Sequence, residues 1–177
     1  MWDTDFYMSI VSLEKPLLPI LNEARAIAHA EYGTVQIYNP QLGGFEIAAQ
    51  YGFDPSTLQY FRLVRPGDAC TCGRALQLAQ RIVVLDVTTE LFFQPSVAIA
   101  LQAGFRSAQT TPILGNQNNV IGALSTHSAK TLKLSRADLL AIDQCVLRAK
   151  SIIEAFLKKS YVLQNFGYKS VEIRAEF

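Results

Sequence analysis

The chain has 177 residues, half of them apolar, and its sixteen Lys and Arg against fifteen Asp and Glu give a net charge of +1. Near-neutrality leaves no field broad enough to hold a nucleic-acid backbone or an anionic membrane surface, and no apolar run approaches the roughly 20 residues of a membrane helix. A domain of this size buries about 70% of its unfolded surface without staples; the odd count of three cysteines, and an N-terminus "MWDTDFYMSI" without the layout of a secretory signal, imply a reducing, cytoplasmic setting.

The first thirty residues predict a helix interrupted by Pro16 and Pro19, with Leu17, Ile20 or Leu21, Ala24 and Ile27 or Ala28 at helical spacing and Gly33 as its end. "TVQIY" and "FEIAAQ", joined by the turn formers of "NPQLGG", predict an antiparallel hairpin. A short helix in "PSTLQYFRLV" follows, then the loop "RPGDACTCGRALQ" entering a helix from about Gly73 to Gln80, and "RIVVLDV" as a buried strand. "PSVAIALQA" predicts a helix that stops at Gly104. A second hairpin runs through "SAQTTPIL", the turn "GNQNN" and "VIGALSTHS". Ser135 and Asp138 form a capping box opening a long helix, whose stripe of Leu139, Ile142, Val146, Ala149, Ile153, Phe156 and Leu163 outlasts what one domain needs and asks for a partner helix. The tail after Gly167 has no helical period. Hairpins with helices before, between and after them predict an α+β domain over an antiparallel sheet, in one unit without internal repeats.

Cys70 and Cys72 are separated by Thr71 alone, whereas a zinc site asks for two to four intervening residues and a second ligand pair. Cys145, His29 and His127 have no close partner in sequence, so no metal site is expected. A disulfide between Cys70 and Cys72 would close a small strained ring. They remain redox candidates as thiols near a helix N-terminus, where the dipole lowers a thiol pKa; packing as small buried hydrophobes is the competing reading. Strand alternation puts Ile121, Ala123, Ser125 and His127 on one face and Val120, Gly122 and Leu124 on the other, with Ala108, Thr110 and Pro112 sharing a face of the neighbouring strand. One face then meets helices and the other holds a polar ligand, unless His127 is a strand-end histidine satisfied by water or backbone. The sequence contains no phosphate loop, dinucleotide fingerprint, nucleophile elbow, HExxH or EF-hand loop, so no cofactor is nominated.

"GTVQIYNPQLGGFEIAAQYGF", "GDACTCGRAL", "RIVVLDV", "AGFRSAQTTPIL" and "VIGALSTHS", in this order and spacing, resemble a GAF domain over about residues 20–160. The likeness is greatest to GAF domains attached to bacterial histidine kinases. It implies a GAF/PAS-like central antiparallel sheet with N- and C-terminal helices on one face, commonly paired in a dimer, and a ligand pocket under loops and short helices on the other. Counting back from Gly104, the bilin-anchoring positions of phytochrome-like relatives hold Val97 and Ser96, so no covalent bilin is expected, although His127 falls where those relatives keep a chromophore-contacting histidine. The Asn-Lys, Phe and Asp-Glu signature of cyclic-nucleotide-binding relatives does not fit "THSAKTLKLSRADLLAID" without gaps. Cys72 in "TCG" resembles a cysteine of the free methionine sulfoxide reductases, but the segment "TTELFFQPS", where their attacking cysteine lies, contains none.

The resemblance implies a sensory domain, residues 1–177 with terminal helical extensions, that binds an unknown small molecule and signals through its terminal helices to a kinase or other output domain. Candidate ligand residues are Phe93, Val97, Leu101, Thr110, Ser125 and His127; candidate homodimer residues are Leu139, Ile142, Val146, Ile153 and Phe156. The alternatives are a thiol redox enzyme or switch using Cys72, with Cys70 as a second candidate thiol, and a ligand-free dimerisation module.

Overall fold

The computed structural model describes Ile10, residues 12–131 and residues 133–165, with the backbone alone for 160–165; the tail after Gly167 and the side chain of Leu163 lie outside the described residues. Helix α1 (Glu14–Ile27) leads into strands β1 (Tyr32–Asn39) and β2 (Gly44–Tyr51). Next come α2 (Pro55–Tyr60), β3 (Leu63–Val64), α3 (Thr71–Leu78) and β4 (Ile82–Val84). A 3-10 turn (Leu91–Ser96) continues as α4 (Val97–Gln102), before β5 (Ser107–Leu114), β6 (Val120–Ser128) and α5 (Arg136–Asn165). The strands form one antiparallel sheet in the order β3-β2-β1-β6-β5-β4.

Both expected hairpins are present, and β1 pairs with β6 to join them at the centre of the sheet. On one face, Leu17, Leu21 and Ala24 of α1 and Ile142, Cys145, Ala149 and Ile153 of α5 pack over Val35, Ile37 and Leu124. On the other, Phe93, Ala100 and Phe105 from the roof segments pack with Cys70 and Cys72 over Phe45, Ala108 and Ala123. The two terminal helices therefore share one face and leave the other to the roof.

Several local expectations need correction. Helix α1 runs unbroken through Pro19, because Pro19 and Lys15, whose carbonyl Pro19 cannot bond, are both exposed and water can satisfy that carbonyl. The helix ends at Ile27, with His29 left-handed at φ 49°, and Gly33 belongs to β1. Strand β4 is a three-residue edge strand with Val83 exposed, not a buried one. The alternation along β6 is reset by a bulge: Ile113 pairs with Gly122 but Leu114 with Val120, so Ile121 turns to the helix face and Val120 to the roof face.

The capping box forms as expected, with Asp138 N–H donating to Ser135 Oγ at 3.1 Å and Ser135 N–H to Asp138 Oδ2 at 2.8 Å. The stripe it opens is not a free partner surface. Ile142, Val146 and Ile153 are buried in this chain's own core, Phe156 packs against that core, and Leu139 is half-buried. Among the described residues, the large apolar side chains that α5 leaves exposed are Leu140 and Leu147, seven apart on its outer side.

This predicts opposite outcomes for two substitutions. Ile153→Asp buries an unpaired carboxylate, costs about 4 kcal/mol or more, and should abolish the cooperative urea transition followed by circular dichroism. Leu147→Asp should leave that transition within about 0.5 kcal/mol of the parent.

Candidate functional site

The roof-side face of the sheet carries a row of hydroxyls at its centre. Register places Thr34 of β1 opposite Ser125 of β6, and Ser125 opposite Thr110 of β5. Thr110 Oγ1 and Ser125 Oγ lie 2.9 Å apart, and Thr110 donates to Thr71 Oγ1 at 2.8 Å. Cys72 Sγ rests on the row, 3.3 Å from Ser125 Oγ and 3.5 Å from Thr110 Oγ1.

The stretch before α3 is shaped to deliver this thiol. Arg65 N–H donates to Asp68 Oδ2 at 2.7 Å, and Cys70 N–H to the Asp68 carbonyl at 2.7 Å. Cys70 then caps the helix through its sulfur, which accepts the Gly73 N–H at 3.3 Å. Only glycine fits at 73, because a Cβ there would lie 2.5 Å from the Asp68 carbonyl oxygen. The helix therefore starts two residues before the predicted Gly73, with Cys72 inside its first turn.

The two thiols are electrostatically unlike. A hydrogen bond from Cys70 pulls Cys72 down from the ordinary thiol range against the opposing effect of burial, helped by Ser125, Thr110 and Thr71. The same hydrogen bond and burial push Cys70 well up.

Beside Cys72 lies a cavity of about 30 Å³ lined by Thr34, Gln36, Phe53, Phe61, Cys70, Cys72, Phe93, Phe105 and His127 among others, with no charged side chain in its wall. Three buried polar atoms in that wall have no hydrogen-bond partner: Thr34 Oγ1, Gln36 Oε1 and His127 Nδ1. Their residues are 6%, 2% and 8% exposed. Phe53 and Phe105 meet the His127 ring edge-on at 5.1 and 4.8 Å between centroids, and burial lowers the imidazole pKa to about 3, so it is neutral. A second, outer cavity of about 310 Å³ shares Phe61 and Cys70 with the first and adds Tyr60, Leu63, Asp68 and Ser96.

Of the candidate residues, Phe93 and His127 line the inner cavity with Cys70 and Cys72. Thr110 and Ser125 lie fully buried beneath Cys72, bonded to it rather than open to the cavity. Val97 is half-buried in the roof, and Leu101, 47% exposed, points away. Thr34, Gln36, Phe53 and Phe105 were not anticipated. The pattern of "TVQIY" does carry Thr34 and Gln36 opposite the Val35 and Ile37 face, whereas Phe53 and Phe105 reach the site through turns that no periodicity marks. Among the described residues no group of three or more His, Cys, Asp or Glu could hold a metal ion, and no helix is long and apolar enough to cross a membrane.

A family model described as GAF domain matches residues 12–151. No curated protein sequence matches the chain. The fold is similar to that of the GAF domain/HD domain protein from Geobacter sulfurreducens, at 16% identity and TM-score 0.68 over 84% of this chain and 96% of that one. It is similar to a domain attributed to a two-component sensor histidine kinase of Sinorhizobium meliloti 1021, at 11% identity and TM-score 0.62 over 88% and 97%. It is also similar to free methionine-R-sulfoxide reductase from Neisseria meningitidis, solved with its substrate, at 17% identity and TM-score 0.59 over 85% and 89%.

The buried neutral histidine predicts a pH dependence. Its folded pKa of about 3 lies below the ordinary imidazole value of 6.5, so between those values the unfolded chain binds a proton that the folded chain does not, and stability falls as pH drops below 6.5. Unfolding free energies from urea titrations should decline between pH 6.5 and 5 with a slope approaching about 1.4 kcal/mol per pH unit, the single-proton limit. His127→Leu should flatten that window, above the range where the depressed carboxyls of Asp86 and Asp138 begin to contribute.

Proposed function

This chain belongs to the GAF domain family, and from that premise we propose that it is the small-molecule-sensing domain of a signalling protein, signalling through its terminal helices to an output domain. The observation that carries this reading is the inner cavity, where three buried polar atoms lack partners on the sheet face opposite α1 and α5. Buried polar groups are ordinarily satisfied, and an occupant able to donate to Gln36 Oε1 and exchange hydrogen bonds with Thr34 and His127 would complete them. The uncharged wall favours an uncharged occupant, because an ion there would lose its hydration without a counter-charge.

A physical link from site to helix supports the signalling half. Helix α3, which carries Cys72, ends at left-handed Ala79 and is followed by Arg81. Arg81 Nε donates to Thr111 Oγ1 at 2.8 Å, and its guanidinium pairs with Asp143 and reaches the Leu139 carbonyl of α5. A shift of α3 on the hydroxyl row is thereby transmitted to α5 by a charged tether. In a homodimer the available seam on α5 is the side bearing Leu140 and Leu147.

A thiol enzyme is the second reading, favoured by Cys72 at the cavity wall. A free amino-acid sulfoxide, with its ammonium and carboxylate, meets no charged partner there, which weighs for the sensor.

The test is a thermal-shift series with formamide and methanol as uncharged probes and formate and methylammonium as ionic ones, each of two or three heavy atoms to suit a cavity of about 30 Å³. The uncharged probes should raise the melting temperature in proportion to RT ln(1 + [L]/Kd) and the ionic ones should not; Gln36→Leu should remove the response. Equal responses to both classes would overturn the reading. In Arg81→Ala, probe binding should persist while its effect on hydrogen exchange in α5 is lost.

A further inference from the structure

The inner cavity has two thiols in its wall, and its size and polarity restrict what can meet them. We infer that Cys72 is a hydroperoxide-reactive thiol and Cys70 its resolving partner, the cavity admitting a small uncharged peroxide as substrate; this rests on the reading of the cavity as the ligand site.

A water needs about 10–15 Å³ of such space, so a cavity of about 30 Å³ holds about two oxygen-sized atoms. Hydrogen peroxide is a neutral pair of oxygens with two O–H donors. Gln36 Oε1 accepts one, and His127 Nδ1 accepts the other in the tautomer protonated at Nε2; the Thr34 hydroxyl donates to a peroxide oxygen. The uncharged wall disfavours anionic oxidants. The outer cavity of about 310 Å³ shares the Phe61 and Cys70 side chains as a wall with the inner one, and a peroxide would enter from that side.

The nucleophile is prepared by geometry. The Ser125 hydroxyl, 3.3 Å from the Cys72 sulfur and 2.9 Å from Thr110 Oγ1, can turn its one hydrogen from Thr110 to the sulfur when the thiolate forms, and Cys72 sits in the first turn of an eight-residue helix. The Cys72 thiolate attacks one peroxide oxygen, the O–O bond breaks, and the departing oxygen takes the proton Cys72 gave up and leaves as water. Cys72 is then a sulfenic acid, oxidised by two electrons. The Cys70 sulfur attacks the Cys72 sulfur, the S–O bond breaks, and hydroxide leaves with the Cys70 proton as a second water. In total two thiols become one disulfide and one peroxide becomes two waters.

Two residues span at most about 7 Å of chain, within the Cα separation a disulfide tolerates. The ring is strained, which makes the bond readily reducible and the change reversible. Closing it withdraws the Cys70 sulfur from the Gly73 N–H and Cys72 from Ser125, so oxidation unseats the start of α3 from the sheet. Cys145 is an internal reference: it is buried on the opposite face among the terminal helices, where burial raises its pKa.

The experiment treats the reduced full chain with hydrogen peroxide, traps with dimedone and iodoacetamide, and reads intact and peptide masses. The parent should lose the mass of two hydrogen atoms, with Cys70 and Cys72 in one linked peptide and Cys145 alkylated as before. Cys70→Ser should stop at a dimedone adduct on Cys72, Cys72→Ser should leave Cys70 unoxidised, and Ser125→Ala, folded by circular dichroism, should react about tenfold more slowly, the loss of one charge-assisted hydrogen bond. Oxidation spread evenly over the three cysteines, or no linked peptide, would overturn the inference. If that happens while formamide still stabilises the protein, the sensing site stands without its peroxide chemistry; if neither probe acts, both fall.

Discussion

The pairing of β1 with β6 is the constraint on which the rest of the structure depends. It joins an N-terminal hairpin to a C-terminal one across almost a hundred residues of sequence, setting Thr34 against Ser125 and Val35 against Leu124. Because the side-chain period of a strand is two, this one register assigns both faces at once. A slip of β1 by one residue against β6 would turn Val35 toward the roof and Thr34 toward α1 and α5. The apolar demand of the terminal helices thus fixes the register, and the polar row on the far side follows from it.

That row divides into a satisfied part and an open part. Thr110, Ser125, Thr71 and Cys72 bond one another beneath α3 and hold the helix to the sheet. Thr34, Gln36 and His127 stand one or two positions away with atoms that bond nothing. The satisfied cluster therefore acts as the foundation of α3, and the open atoms face the cavity that α3 borders. The Cys72 sulfur is part of that foundation, and Arg81, three residues past the end of α3, ties this stretch to α5 through Asp143 and the Leu139 carbonyl.

The sequence displays this architecture unevenly, for physical reasons. The hairpins are legible because "NPQLGG" and "GNQNN" are rich in residues that adopt turn conformations cheaply, and α5 is legible from its reciprocal cap. The start of α3 is not, since its cap is a sulfur rather than the usual oxygen of Ser, Thr, Asp or Asn. The faces of β6 read correctly for Ala123, Ser125 and His127 but invert at Ile121, because a bulge adds a residue that no periodicity announces. The long stripe of α5 looks like excess in the sequence because a sequence does not show how many sides of a helix its own domain will cover; α1 and the sheet together take Ile142, Val146, Ala149 and Ile153. Of the site, the thiols, Phe93 and His127 are visible as residues out of the ordinary, while Gln36 and Phe105 become significant only when three strands and a turn bring them to one cavity.

The open atoms also bear on stability. An unsatisfied buried polar group costs about 1–3 kcal/mol, and a domain's whole stability is about 5–15 kcal/mol, so three such atoms are a substantial charge on the fold. Apolar side chains at 34, 36 and 127 would remove it, as Val35 and Ile37 do on the opposite face of the same strand. Left unpaired, these polar atoms hold the domain below the stability its framework can reach. On the sensing reading proposed above, a molecule that satisfied them would restore the deficit only in the folded state. On that reading ligand affinity and stability are one equilibrium, set by the same three side chains.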